Sequence, residues 1–352
     1  MIEQKRFYTT HNPTIDSQIA RLLSSFGDAF DQKLLAEMMI SVYRFGQDGS
    51  STGDLKMINA ALKELRYAFK VFRPYRDIRK VALFGSARLP RQHPAYAMAK
   101  TFGRLMARAR WMVITGAASG IMKAGHEGAG RTASFGLNIR LPFEQAANPV
   151  IATDTKLISC KYFFTRKLLF IKESHATALF PGGFGTLDEG FESLTLVQTG
   201  KSDPRPIVFV DTPNGKFWGP LLNFFNQQLL QEDVISSSER SVYQVAHSAE
   251  EAAEIIQRFY SVYHSQRYVK GWLVLRLQRP LAELAVAQLT REFHDILKSG
   301  VIRQGAALPE EADEPELKDL PRLILNFDRQ HFGRLIELLH RINEVGNSGS
   351  CL

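Results

Sequence analysis

His175-Ala-Thr-Ala-Leu-Phe180 runs directly into Pro181-Gly-Gly-Phe-Gly-Thr-Leu-Asp-Glu189, and the reading of this join decides the fold. The apolar hexapeptide has the length of a buried strand and stops at Pro181. Three glycines, Gly182, Gly183 and Gly185, then fall within four positions, and a helical pattern begins at Thr186 and runs to Gln198. A glycine-rich bend from strand to helix leaves backbone N–H groups aimed at whatever lies above the helix, which is a phosphate-holding geometry. Glycine by itself is a weak signal, because any tight turn uses it. The loop lacks the Gly-Lys-Ser/Thr of a P-loop, and its spacing is not the G-x-G-x-x-G of a dinucleotide fold. Pro-Gly-Gly-x-Gly-Thr is more particular than either, and it favours phosphate over a plain turn.

Working outward, the same alternation repeats. Val81–Phe84 reads as a strand that breaks at Gly85-Ser86, and His93–Arg110 as a helix. Trp111–Thr115 is a strand ending in Gly116, followed by a helix over Ser119–Gly128 and a strand over Phe135–Leu141. Cys160–Lys172 reads as the helix leading into the central strand. Pro206–Val210, Phe217–Leu230 and Ala249–Tyr263 continue the pattern as strand, helix and helix. Strands alternating with helices of this length imply right-handed crossovers and a parallel sheet covered on both faces. Ligands bind such sheets at the carboxyl ends of the strands, where Gly85-Ser86, Gly116 and Gly182-Gly183 all stand.

Residues 1–78 read instead as a helical extension, with helices over Asp16–Leu23, Asp28–Tyr43 and Asp54–Phe72 and no chemistry of their own. The core α/β domain spans 79–265. Residues 266–352 read as a small α/β appendage: strands Gly271–Leu277 and Leu323–Phe327, helices Pro280–Leu297 and His331–Val345, and an acidic loop over Pro309–Lys318.

With 45% hydrophobic and 23% charged residues the composition is that of a globular protein, and no apolar run is long enough to span a membrane. The first residues carry no secretory signal pattern, and Cys160 and Cys351 make neither a disulfide framework nor a metal spacing, so a cytoplasmic protein is expected. The net charge of +8 suits an anionic ligand. Its cations are scattered rather than clustered with aromatics, which argues against nucleic acid. His126-Glu127 lacks metal-ligand spacing, so no metal is expected, and G-x-S-x-G is absent.

Two residues near the glycine loop invite competing explanations. Thr186-x-x-Glu189 is a capping-box pattern, which would make Glu189 a helix cap. A carboxylate beside a bound nucleotide would instead orient a ribose hydroxyl or water, or stabilise positive charge on the sugar. Arg166 sits among Tyr162, Phe163, Leu169 and Phe170 at helical spacing and Lys167 among Phe163, Phe164, Phe170 and Ile171, and a cation on an apolar face needs an anion or an exit to water. Glu173 would serve as an ordinary partner; a phosphate or Glu189 would be the functional one.

Taken together, Arg166-Lys167 and Pro181–Glu189, with the Phe84-Gly-Ser86 strand end, the Ser119-Gly-Ile-Met122 helix start and Leu141-Pro-Phe-Glu-Gln145, resemble the LOG ("lonely guy") family over residues 80–230. These are nucleoside 5′-monophosphate phosphoribohydrolases, long labelled lysine decarboxylases. The resemblance implies a Rossmann-like fold, a homodimer with active sites near its interface, and no cofactor. It makes Arg166 and Glu189 the catalytic pair, and Lys167, Gly182, Gly183, Phe184, Gly185, Thr186 and Thr195 nucleotide-binding positions, with Gly85 and Ser86 beside the 5′-phosphate. Arg166 would then bind the phosphate or the base and keep Glu189 ionised. The chain departs from the family pattern at Gly116-Ala-Ala118, where many members have three glycines. It departs again at Phe163-Phe-Thr165, where plant-type members have Met-His-x. Extensions at both ends are closer to larger bacterial nucleotide nucleosidases. The rival expectation is a non-catalytic carrier of a nucleotide or pterin cofactor on the same fold.

Overall fold

A computed structural model describes residues 8–27, 31–141 and 146–348. Asp28–Phe30 at the start of the second expected helix, the Pro142–Gln145 stretch and Cys351 lie outside the described residues. The chain divides into two compact units, residues 1–63 and 64–352.

The first unit holds α1 (Pro13–Leu23), α2 (Gln32–Gln47) and the first half of α3 (Thr52–Phe72). Asn12 caps α1, its Oδ1 accepting from the Thr14 and Ile15 N–H groups at 3.1 and 3.4 Å.

The second unit is built on seven parallel strands: β1 (Lys80–Phe84), β2 (Met112–Thr115), β3 (Ser134–Ile139), β4 (Leu157–Cys160), β5 (Ala176–Leu179), β6 (Ile207–Val210) and β7 (Tyr243–Ala246). Their order is β4-β3-β2-β1-β5-β6-β7. The chain winds one way from β1 to β4 and then restarts from β5 in the other direction. Such a reversal opens a crevice above β1 and β5, the strands ending in Gly85-Ser86 and in the glycine loop.

Side chains alternate across each strand and so feed two cores. Val81, Leu83, Ala176, Ala178, Val208 and Val210 pack under α4 (Pro94–Arg108), α5 (Gly120–Ala129) and α9 (Ala249–Phe259). Ala82, Phe84, Leu179 and Phe209 face the other way. They pack against Leu169 and Phe170 of α6 (Phe163–Glu173), Val197 of α7 (Phe184–Gln198) and Phe225, which follows α8 (Gly219–Phe224). Ala68 and Phe72 at the end of α3 join this second core.

A four-stranded antiparallel sheet follows, ordered β10-β11-β9-β8, from β8 (Tyr263–Val269), β9 (Trp272–Leu277), β10 (Leu297–Gly305) and β11 (Arg322–Phe327). Its apolar face packs on α10 (Glu283–Glu292) and α11 (Phe332–Ser348), with Phe259 of α9 in the same cluster.

Several boundaries differ from the sequence reading. Cys160 ends β4, and α6 starts at Phe163. The strand Leu157-Ile-Ser-Cys160 is only four residues long, too short for its alternation to stand out, and its last residue falls at the start of the expected helix. β7, β8 and β10 were not expected as strands. β8 has polar, half-buried residues at its centre, and β10 is mostly exposed, so neither shows an apolar period. The helix expected over Pro280–Leu297 is shorter, because Phe293–Leu297 unwinds into the turn that starts β10.

Candidate active site

The cleft forms where the strands stop. Beyond β1, Gly85 packs so closely on α5 that a Cβ there would stand 2.5 Å from Ile121 Cγ2. The Ser86 N–H donates to the Pro181 carbonyl at 3.0 Å, and the Ser86 carbonyl accepts from the Ile121 N–H at 3.0 Å. These bonds tie the first strand end to the glycine loop and to the next helix.

Beyond β5, Gly182 has no room for a side chain, since a Cβ would meet Thr186 Oγ1 at 2.2 Å. Gly183 and Gly185 face open space instead. Gly183 is the N-cap of α7, its carbonyl accepting from the Thr186 and Leu187 N–H groups at 2.9 and 3.1 Å. The first N–H groups of α7 therefore open toward the cleft without an intrahelical partner. This corrects the expected helix start. Thr186 is buried in the first turn and Glu189 stands a turn further in, so the two do not form a capping box.

Glu189 is 2% exposed, and among the described residues neither of its oxygens has a hydrogen-bond partner. Arg166 Nη2 stands 3.7 Å from Oε1, an ion-pair distance too long for a hydrogen bond. The Arg166 guanidinium lies over the rings of Phe163 and Phe170, 4.9 and 5.9 Å from their centroids, and its Nε is also unpartnered. Burial pushes the Glu189 carboxyl up to about 7, against the opposing pull of Arg166 and Lys167. The same desolvation lowers Arg166. Arg166 was expected to hold Glu189 fully ionised; desolvation outweighs it, because the pair is buried without the donors a carboxylate needs.

Arg166 owes its place to the start of α6. Glu64 accepts from the Lys161 N–H at 2.7 Å and from the Thr165 hydroxyl at 2.6 Å, fixing the turn that carries Arg166. The helix α3 that provides Glu64 was expected to have no part in the site. Glu173, the ordinary partner considered for Arg166, binds Lys172 instead at 2.7 Å.

The cleft has a volume of about 1020 Å³ and brings together Gly85, Ser86, Arg166, Gly182, Gly183, Phe184, Gly185, Thr186 and Glu189. Two expected binding positions are not in its lining. Lys167 turns to Asp188 and Glu192, at 2.8 and 3.0 Å. Thr195 is exposed, almost two turns along α7 from Glu189.

The sequence reading missed the remaining wall: Arg88, Leu89 and His93 after β1, Met122 on α5, and Asp211, Thr212, Lys216 and Phe217 after β6. Asp211 is a brace. Its Oδ2 accepts from the Phe217 and Trp218 N–H groups at 2.8 and 3.2 Å, and its Oδ1 from the Thr212 N–H at 2.8 Å. An Asp directly after a buried apolar strand was the available signal. Lys216 and Arg88 carried no pattern that set them apart from other surface cations.

Two other residues singled out in the sequence are structural. His126 is buried between Thr115, Asn148 and the Phe135 carbonyl, and burial lowers it to about 4. The Cys160 thiol is pushed up to about 11 by burial, the state of an inert thiol. Among the described residues no group of three or more His, Cys, Asp or Glu side chains is placed to hold a metal ion. No helix among them is long and apolar enough to cross a membrane.

Comparison with known proteins bears on the same region. Residues 115–256 match a family model described as "Possible lysine decarboxylase". A curated relative is the cytokinin riboside 5′-monophosphate phosphoribohydrolase LOG1 of Arabidopsis thaliana. It is 29% identical over 107 residues, which are 30% of this chain and 48% of that protein. The chain thus spans about half the length of that relative. Among solved structures, the structural-genomics target TM1055 aligns with 21% identity and a TM-score of 0.38, over 51% of this chain and 99% of its own. The molybdenum cofactor binding protein of Rippkaea orientalis aligns with 20% identity and a TM-score of 0.33, over 51% and 94%. At such scores neither structure carries an argument about this one.

Proposed function

We propose that the chain, through residues 115–256, is a member of the LOG family and that it hydrolyses the N-glycosidic bond of a nucleoside 5′-monophosphate. The observation that carries the reading is Glu189: a buried carboxyl with two free oxygens, raised to about 7, beside a cradle of open backbone N–H groups. A purely structural glutamate would be satisfied by donors.

In this reading the first turn of α7 and Ser86 hold the 5′-phosphate, and the ribose lies over Glu189. With a titration point near 7, Glu189 supplies both protonation states at neutral pH. Its ionised form takes a proton from the attacking water while the negative charge stabilises the oxocarbenium-like sugar. The water oxygen bonds to C1′ as the C1′–N bond breaks. The bonding pair leaves with the base, which takes up a proton, and the products are free base and ribose 5-phosphate. Arg166 orients Glu189 and opposes its protonation. Lys167 keeps α6 and α7 in register through Asp188 and Glu192.

A homodimer belongs to the same proposal. Phe163, Phe164 and Leu168 on α6 and Phe191 on α7 are exposed apolar side chains on the two helices that carry the catalytic pair. Thr195, exposed on α7, then faces an interface rather than its own cleft.

The deciding assay incubates purified protein with a panel of purine and pyrimidine 5′-monophosphates and measures released base and ribose 5-phosphate. Release from at least one nucleotide is expected. Tight binding of nucleotide with no base released from any of them would overturn hydrolysis and favour the carrier.

A further inference from the structure

A second concavity, of about 380 Å³, lies at the opposite end of the parallel sheet. Arg79 precedes β1, His175 precedes β5 and Arg205 stands just before β6, so the amino ends of three neighbouring strands converge there. Tyr260, past α9, and His264, in β8, close the other side.

Its charge is one-sided. Arg79, Lys172, Lys201 and Arg205 line it against a single acid, Asp203. Lys172 is taken by Glu173, but among the described residues neither Arg79 nor Arg205 has a carboxylate partner. Arg205 is 6% exposed; among the described residues only its Nη1 is used, donating to the Ser174 carbonyl and hydroxyl at 3.0 and 3.1 Å. Arg79 lies 3.7 Å over the Tyr260 ring and donates from Nη2 to the His264 carbonyl at 3.2 Å. Among the described residues the other two arginines buried as deeply as Arg205, Arg276 and Arg322, both meet Glu311. Asp203 acts on Arg205 only from beyond ion-pair distance, and a buried guanidinium with spare donors and no carboxylate in contact is a costly arrangement for a fold to keep.

The histidines support the same conclusion. Burial, and then the field of Arg79, Lys80 and Arg205, lowers His175 to about 3; burial and Arg79 with Arg276 lower His264 to about 4. His175 Nδ1 accepts the Lys80 N–H at 3.1 Å, so its proton sits on Nε2. Both rings are neutral, and His175 keeps an N–H to donate.

We propose that this pocket binds a small, multiply charged anion of the phosphate or carboxylate type, gripped by the forked N–H groups of Arg79 and Arg205. It is separate from the cleft and stands whether or not the cleft hydrolyses nucleotides. The test is calorimetric titration of the full chain at low salt with pyrophosphate and with citrate, the tighter of the two identifying the anion type. Sub-millimolar binding of at least one is expected. Arg79→Gln should weaken it at least tenfold and Arg166→Gln should leave it unchanged. Lys201 is exposed, so Lys201→Glu preserves the fold and should also weaken binding at least tenfold. The proposal is overturned if neither anion binds at millimolar concentration. It is equally overturned if binding survives Arg79→Gln and Lys201→Glu, or is lost in Arg166→Gln, which would place the anion in the cleft.

Discussion

Two buried arginine–glutamate sites in this chain use the same side chains to opposite effect. In the antiparallel sheet, Glu311 accepts from Arg276 at 2.7 and 2.9 Å, from Arg322 at 3.1 Å and from the Leu308 N–H at 3.0 Å. Burial alone would raise its carboxyl, but these donors outweigh it and hold the group below its ordinary range. In the cleft, Glu189 is equally closed to solvent, has one cation at 3.7 Å and, among the described residues, no donor, and is raised to about 7. Both side chains are closed to solvent, and the difference lies in how deeply each carboxylate is desolvated and in how many donors reach it. A carboxylate saturated with donors ties β9 and β11 to the acidic loop; an unsaturated one keeps its bonding capacity for something else.

The largest effect expected to separate the two sites is on turnover. Glu189→Gln should reduce nucleotide hydrolysis by about 10³-fold with nucleotide binding retained. Glu311→Gln should leave turnover per folded molecule unchanged. Steady-state assays on both variants make the comparison, and near-wild-type turnover in Glu189→Gln removes Glu189 from catalysis.

Stability should show the reverse. Glu311→Gln breaks a buried charge network and should cost about 3–5 kcal/mol in denaturant unfolding. Glu189→Gln should gain stability, in a pH-dependent way. Folded Glu189 keeps its proton up to about 7, whereas the unfolded carboxyl loses it near 4.5. Wild-type stability therefore falls as pH rises between those values and levels off above them. The variant lacks this loss, so its melting temperature should exceed wild type by a few degrees at pH 8 and match it near pH 4. An equal difference at both pH values would mean that Glu189 is not raised.

A third contrast concerns the arginines. Hydrolysis in the wild type should rise with pH through an acidic limb near 7 in kcat/KM, because the ionised carboxylate is the working form. Arg166 lowers the Glu189 carboxyl, so Arg166→Met should move that limb to higher pH and cut turnover by about 10²-fold. No variant of Arg276 should move the limb.

The smallest effect tests how the cleft pair is held. Glu64→Ala removes both bonds to the start of α6 and should reduce kcat/KM by roughly threefold to tenfold, with the pH limb unmoved. A loss confined to stability would show that Glu64 supports the helix without positioning Arg166.

Much of this was legible in advance, and the reasons are local. A strand–glycine–helix join is written in consecutive residues, so β5, the loop and α7 could be read directly from Ala176 to Gln198. The two arms of the sheet followed from the repeated alternation. The cap reading of Glu189 failed because the motif Thr-x-x-Glu specifies a box only if the helix begins at the Thr, and the open backbone of Gly183 lets α7 begin earlier. Lys167 and Thr195 were placed in the site by motif, yet the turn of α6 and α7 points them elsewhere.

The sequence alone determined what chemistry was available: a glycine cradle where only Gly182 fits against Thr186, and a cation stranded on an apolar helical face. Both follow from backbone sterics and from helical period, which act over a few residues. The tertiary structure decided which groups meet. Glu189 became an unsaturated acid only because α6, α7 and the ends of β1 and β5 exclude water and donors together. Desolvation is a property of the assembled surroundings, and no stretch of sequence contains it.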